Sequence, residues 1–324
     1  MANINFSVII CTADRPKDLE RFLDSLSKQT LPPKQLIVVD AGHNSTLIKN
    51  SVSQFNDSTG IVSLYIPSVK GLTIQRNTGV SYVLNEIDIV SFFDDDIELK
   101  PTCLEQIAKV FENDEKSRIG GVGGKIVSNI INSKKKPVLN TIGSKFFGLL
   151  SRIFIIGSSK SYTVLVSGMN VSNEHKVKKN TYADWLHGCT SYRRNIFNNF
   201  LFDESLKDYS MREDLDFSYR VSKKHKLIYA PKAEMIHHHS ATLRASDRQF
   251  GQIYIESWHW FVCKNIPKII NHLCFWYAAI GYIFVLLLTA LFYYRRTDYL
   301  RALGGIKGLL KLFKPKIKKA DETL

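Results

Sequence analysis

The stretch VSFFDDDIELKP (Val90–Pro101) sets three carboxylates side by side directly after an apolar run. VSFF reads as the end of a buried strand, so Asp94, Asp95 and Asp96 sit where the chain leaves a sheet. Adjacent like charges raise each other's pKa unless a cation neutralises them. A divalent ion is the economical partner, because magnesium and manganese are held by one or two carboxylates together with diphosphate oxygens. Side chains alternate along extended backbone, which turns Asp94 and Asp96 to one side and Asp95 to the other. Taken alone, such a run is commonly a solvated acidic turn. The neighbouring segments separate the two readings.

Upstream, Ile4 to Cys11 is apolar and β-rich, and Asp14 and Pro16 then open a helix with Leu19, Phe22, Leu23 and Leu26 at helical spacing. QLIVVDAG (Gln35–Gly42) and SLYIPS (Ser63–Ser68) read as short strands, Thr73 to Leu84 as a helix, and Asp88 to Phe93 as another buried strand. Strands alternating with helices predict an α/β fold with a mostly parallel sheet covered by helices. Ligands of such sheets bind outside the carboxyl ends of the strands, which puts Asp40 and the Asp94–Asp96 run at one crevice. A helix is expected from Pro101 to about Glu112, and GGVGGKIV (Gly120–Val127) returns the chain to the sheet. Residues 129–161 fit no element and read as an insertion or mobile loop.

The order of these pieces resembles the family 2 glycosyltransferases over roughly residues 4–245. Seven segments carry the likeness: VIICTADRPKDLERFLDSLSKQT, LIVVDAG, KGLTIQRNTGV, FFDDD, DWLHGCTSYRRNIF, FDESLKDYSMREDLDFSYRVSKKHK and PKAEMIHHHSAT. In pattern they are most similar to the rhamnosyltransferase-like branch that builds bacterial and archaeal surface polysaccharides. The resemblance implies a GT-A fold, a Rossmann-like sheet binding a nucleoside-diphosphate sugar, with Mg2+ or Mn2+ as cofactor. It implies that Thr12, Arg15, Arg76 and Asn77 lie near the donor nucleotide and that Asp40 reads its base. Asp94 then sits near the ribose or the metal, Asp96 and His237 ligate the metal with His239 as the alternative, and Asp95 either joins the donor site or caps the turn. Asp214 is the candidate general base, tuned or oriented by Glu213 and Asp216. One carboxylate acting opposite a departing diphosphate implies inversion at the anomeric carbon.

Other residues admit two readings. Trp185, His187 and Gly188 shape a sugar or acceptor pocket, or Trp185 is a core aromatic. Arg193 and Arg194 bind phosphate or make surface salt bridges. The formal charge of +14 calls for anionic partners, but much of it lies in the last thirty residues and in 129–180, without a recognisable nucleic-acid module, so a nucleic-acid partner is not expected. The five cysteines show no spacing of a disulfide framework or zinc site, and the amino-terminal segment reads as the first strand of a cytosolic domain.

LCFWYAAIGYIFVLLLTALFYY (Leu273–Tyr294) carries no charge and is long enough to span a bilayer. The basic, periodically apolar RRTDYLRALGGIKGLLKLFKPKIKK that follows suits an anionic membrane surface. A single span would separate that tail from the catalytic domain. An embedded or re-entrant helix, paired with residues 253–270 as a hairpin, therefore fits better, and burial in a homo-oligomer interface is the alternative. The sequence thus predicts a catalytic domain over 1–250 and a membrane-associated helical region over 251–324 at the cytoplasmic face, acting on a lipid-linked saccharide. A catalytically inactive nucleotide-sugar-binding subunit is the competing class. A nucleotidyltransferase is disfavoured, since its early glycine-rich G-x-G-T-R loop is missing.

Overall fold

A computed structural model describes residues 4–43, 45–127, 141–206, 211–240 and 245–313. It divides the chain into two compact units, one built from residues within 1–138, 159–164 and 170–241, the other from residues within 139–158, 165–169 and 242–324. Against the expected boundary at 250/251, the second unit thus begins earlier and takes in two segments from mid-chain.

The first unit contains β1 (Phe6–Thr12), α1 (Pro16–Ser27), β2 (Gln35–Asp40), α2 (Ser45–Thr59), β3 (Val62–Pro67), α3 (Leu72–Ser81), β4 (Ile89–Asp94), β5 (Ile97–Leu99), α4 (Cys103–Glu112) and β6 (Ile119–Val127). Helix α5 (Thr141–Ile153) belongs to the other unit. The chain then adds a two-stranded hairpin of β7 (Thr163–Val164) and β8 (Asn170–Val171), β9 (Thr181–Ala183), β10 (Thr190–Arg193), α6 (Glu213–Ser222) and β11 (Lys226–His237). One sheet runs β3-β2-β1-β4-β10-β6-β11-β5, with β9 on β11. The β3-β2-β1-β4 half is parallel, and β10 enters antiparallel between β4 and β6. Val8, Ile10, Leu36 and Val38 are fully buried in one core cluster with Leu19, Phe22 and Leu26 of α1, each worth about 1.5–3 kcal/mol of transfer free energy.

Two pairings position the site. Thr12 lies opposite Asp40 and Cys11 opposite Asp94, so three parallel strands end at one level. The short strand β5 turns back to pair antiparallel with β11, with Ile97 opposite His237. Of the segment expected to be a loop, 141–153 is helical, with the apolar Phe146, Phe147, Leu149 and Leu150 spaced along α5, and 128–140 lies outside the described residues.

The second unit is led by α7 (Asp247–Asn265), α8 (Ile269–Tyr293) and α9 (Arg296–Phe313). Ser246 caps α7 in a capping box with Gln249. Helices α7 and α9 meet backbone to backbone: a Cβ on Gly251 would lie 2.1 Å from the Arg301 carbonyl oxygen, and one on Gly304 2.0 Å from that of Arg248. Helix α8 folds back along them, with Phe275 edge-on to Trp258, Tyr282 stacked on Tyr254 and Trp276 stacked on Phe313.

Candidate active site

Asp95 does point away from its neighbours, but into the protein. It is 3% exposed, and its carboxylate accepts from the Thr12 hydroxyl (2.8 Å) and the Arg15 guanidinium (3.1 Å). The three residues tie the end of β1 to the end of β4. Burial pushes the Asp95 carboxyl up to about 6, against the pull of Arg15 and the Thr12 hydrogen bond. Thr12 and Arg15 therefore bind a carboxylate of the chain itself.

Asp94, Asp96 and His237 each present a ligand atom within 4.8 Å of the others. Their meeting follows from the β5–β11 register, which sets His237 beside the turn that carries Asp96. His237 Nε2 is 3.0 Å from Asp96 Oδ1, and the Ser240 amide donates to Oδ2 at 2.9 Å. Burial opposes ionisation of Asp96, but His237 and the Ser240 amide outweigh it and hold the carboxyl down at about 2. Two carboxylates and an imidazole form a donor set that fits manganese or magnesium. The His239 ring lies tilted against that of His237, with centroids 4.0 Å apart, and His238 turns aside to Glu98 at 2.8 Å.

Arg76, on α3, is 3% exposed and joins the two halves of the site. Its guanidinium lies 3.1 Å from Glu213 Oε1 and 3.6 Å from Asp94 Oδ1, against the faces of Phe202 and Phe92. Burial disfavours its charge, yet Glu213 and Asp94 more than compensate, and its pKa rises. Glu213 and Asp214 open α6, where the helix dipole favours negative charge. The preceding residue, Arg212, takes a left-handed conformation (φ 73°), which swings the chain into that first turn. Burial and the neighbouring Asp214 push Glu213 up to about 8 although Arg76 opposes them, and burial also raises Asp214. Such a pair holds its protons jointly.

Gly188 sits over this junction, where a Cβ would lie 2.9 Å from Arg76 Nη2. Asp40 is buried at the end of β2, accepting from the Gly42 amide (2.8 Å) and the Tyr65 hydroxyl (3.3 Å). His187 is held through both ring nitrogens: Nε2 contacts the Gly124 carbonyl at 2.8 Å, and Nδ1 accepts from the Cys189 amide at 3.2 Å. Trp185 is buried against Tyr162, and its indole N–H finds no acceptor among the described residues.

The remaining candidates find partners within the protein. Asn77, next to Arg76 on α3, brackets Phe202 with its amide, donating to the carbonyl and accepting from the N–H, both at 2.9 Å, and also donates to Glu204. Asp216, expected to orient the base, is fully buried and ion-paired to Arg220. Arg193 pairs in register with Ile89, at the opposite end of β4 from Asp94, and binds Asp114 and the Ile119 carbonyl; Arg194 bonds to Asn85. Of the two readings for this pair, Arg193 follows the salt-bridge one. Sequence reading missed Tyr65, Ser240 and Cys189, whose sulfur lies 3.9 Å from Asp94. The only signal for Ser240 was its place in the H-x-x-S spacing after His237.

The profile of Glycosyl transferase family 2 matches residues 7–200. The chain belongs to that family. Family 2 membership accords with an uncharacterized glycosyltransferase, YwdF of Bacillus subtilis (strain 168), 25% identical over 255 residues, which are 76% of this chain and 81% of YwdF. Among solved structures, the mannosyltransferase PcManGT from Pyrobaculum calidifontis in complex with GDP-Man and Mn2+ is similar, with a TM-score of 0.56 at 13% identity over 95% of this chain and 87% of that one. S. aureus TarS is similar with a TM-score of 0.50 at 16% identity, over 91% of this chain; the chain spans only 45% of TarS. At such identities the likeness shows the fold, and the fold is GT-A. This family 2 protein is a glycosyltransferase.

Proposed function

We propose that this glycosyltransferase moves a sugar from a nucleoside diphosphate to a hydroxyl of a saccharide acceptor in one inverting displacement. The observation that carries the reading is the meeting of Asp94, Asp96 and His237 with the Glu213–Asp214 pair across Arg76. The first three residues would hold Mn2+ or Mg2+, which when bound supplies Lewis-acid stabilisation of the departing diphosphate. Asp214 takes the acceptor hydroxyl's proton, and Glu213 modulates when it is free to do so. Arg76 keeps Asp94 and Glu213 in position from beneath. Asp40, at the end of β2, hydrogen-bonds the base, while Thr12 and Arg15 shape the donor site by holding Asp95. Trp185, His187 and Gly188 line the sugar or acceptor side. The named donor and metal of PcManGT support a nucleotide-sugar donor and manganese.

The acceptor we propose is a lipid-linked saccharide of surface polysaccharide synthesis, the transferred group a hexose or deoxyhexose, and the place of work the cytoplasmic face of the membrane. Among the described residues one helix, α8, is long and apolar enough to cross a membrane. Leu273, Tyr277, Ile280 and Phe284 expose one stripe of it at helical spacing. Its first half lies against α7 and α9, which supports an embedded hairpin over a lone span. Screening nucleotide sugars for manganese-dependent turnover, then repeating with Asp96→Ala and Asp214→Asn, tests the chemistry. Loss of turnover in both variants is expected, and turnover unaffected by both would overturn the reading.

A further inference from the structure

His259 and Cys263 are four residues apart on α7 and share one face of it, and His272 stands near the start of α8. The turn between these helices spans only Ile266–Lys268, so α8 doubles back and brings His272 to the pair. The ligand atoms of all three lie within 4.8 Å of one another. The Cys263 sulfur is 3.5 Å from His259 Nε2 and 3.7 Å from Nδ1, and the rings of His259 and His272 have centroids 6.2 Å apart. Phe275 and Trp276 wall the His259 ring at 5.1 and 5.9 Å. The cysteine is exposed and the histidines are half-buried, so a cation can reach the group from solvent.

We propose that His259, Cys263 and His272 form a second metal site, one that takes zinc. Tetrahedral zinc with its usual bonds to nitrogen and sulfur separates its ligand atoms by about 3.3–3.8 Å. The observed spread is within reach of small side-chain rotations from that geometry. One thiolate and two imidazoles make a borderline-soft donor set, which selects zinc over the magnesium or manganese suited to the oxygen ligands Asp94 and Asp96. Three protein ligands leave a fourth position for water or another donor. The bound ion would clasp α8 to α7 at the base of the hairpin. Spacing in the sequence could not reveal the site, because its third ligand comes from a different helix.

The test uses the full chain purified in detergent, with Co2+ as a spectroscopic probe and Zn2+ as the ligand. A thiolate-to-cobalt charge-transfer band at one equivalent is expected, together with at least a tenfold slowing by Zn2+ of alkylation at Cys263, read by peptide mass mapping. His272→Ala should weaken zinc protection more than the ~10–100-fold typical of losing an outer-shell partner, and Asp96→Asn should leave it unchanged. Zinc should also raise the melting temperature of the wild type and not of Cys263→Ser. Absence of both the band and the protection in the wild type overturns the site, whatever the variants do. Protection abolished by Asp96→Asn but kept in His272→Ala overturns it equally, since the zinc would then sit elsewhere.

Discussion

The Asp95 carboxylate accepts from Thr12 and Arg15, so its removal takes the acceptor from a buried hydroxyl and loses the ion pair with a part-buried guanidinium. Asp95→Ala is expected to destabilise the protein by about 2–4 kcal/mol in urea unfolding. Asp96→Ala, one residue on, takes the acceptor from the Ser240 amide and from His237, so it should lower the unfolding midpoint too, and it should in addition lower turnover by about 10³-fold, the scale of losing a main electrostatic contact to the leaving group. A fall in turnover of equal size in Asp95→Ala would contradict this division. A second prediction concerns Glu213, pushed up to about 8 by burial and by Asp214 while Arg76 opposes. The acceptor's proton must go to ionised Asp214, whose carboxyl burial raises, so kcat/KM should rise with pH along a limb above the ordinary carboxylate range. Glu213 is still protonated where Asp214 ionises and gains its charge only at about 8. Glu213→Gln should therefore leave the rising limb in place and abolish any second inflection near 8; an inflection that persists in the variant would remove Glu213 from the pair. At this scale alternation along the strand did foretell that Asp95 parts from its neighbours, but not that it would be buried on Arg15, because its partners lie about eighty residues away.

At the scale of elements, the parallel strands and α1 were legible because period and punctuation agree: apolar runs end at Asp40 and Asp94, and Pro16 opens a helix with its apolar residues on one side. Strands β5 and β9, of three residues each, were not legible, since their existence depends on pairing with β11. The α7–α9 contact was equally hidden. Gly251 of α7 and Gly304 of α9 are where the two backbones touch. Gly304→Val would drive a side chain against the Arg248 carbonyl and should destabilise the helical unit by about 3 kcal/mol or more, seen as a lowered melting temperature. Gly148→Ala on α5, where a Cβ meets nothing within 4 Å, is the control and should be neutral or slightly stabilising.

For the whole molecule the question is where it works. The α8 stripe leaves Leu273 59% and Ile280 61% exposed, apolar surface of the kind that marks a membrane or partner contact. The full chain is expected to sediment with anionic phospholipid vesicles and to stay bound in high salt, because apolar burial is not screened. Leu273→Glu with Ile280→Glu should cut that partition by more than about 100-fold, from about 1.5–3 kcal/mol per lost side chain. Sedimentation that high salt abolishes would reduce the membrane contact to the basic residues alone.

The sequence by itself determined the α/β class, the family and the order of its motifs, because strand ends, caps and apolar periods are written in neighbouring residues. It also carried the candidate residues Asp94, Asp96, Glu213, Asp214 and His237. Only the tertiary structure decided which of these meet, that Asn77 binds Phe202, that Arg193 binds Asp114, and that Arg76 stands between the two acidic groups. The physical reason is that a hydrogen bond or ion pair between residues about a hundred positions apart is set by strand register and helix docking, which no local pattern encodes.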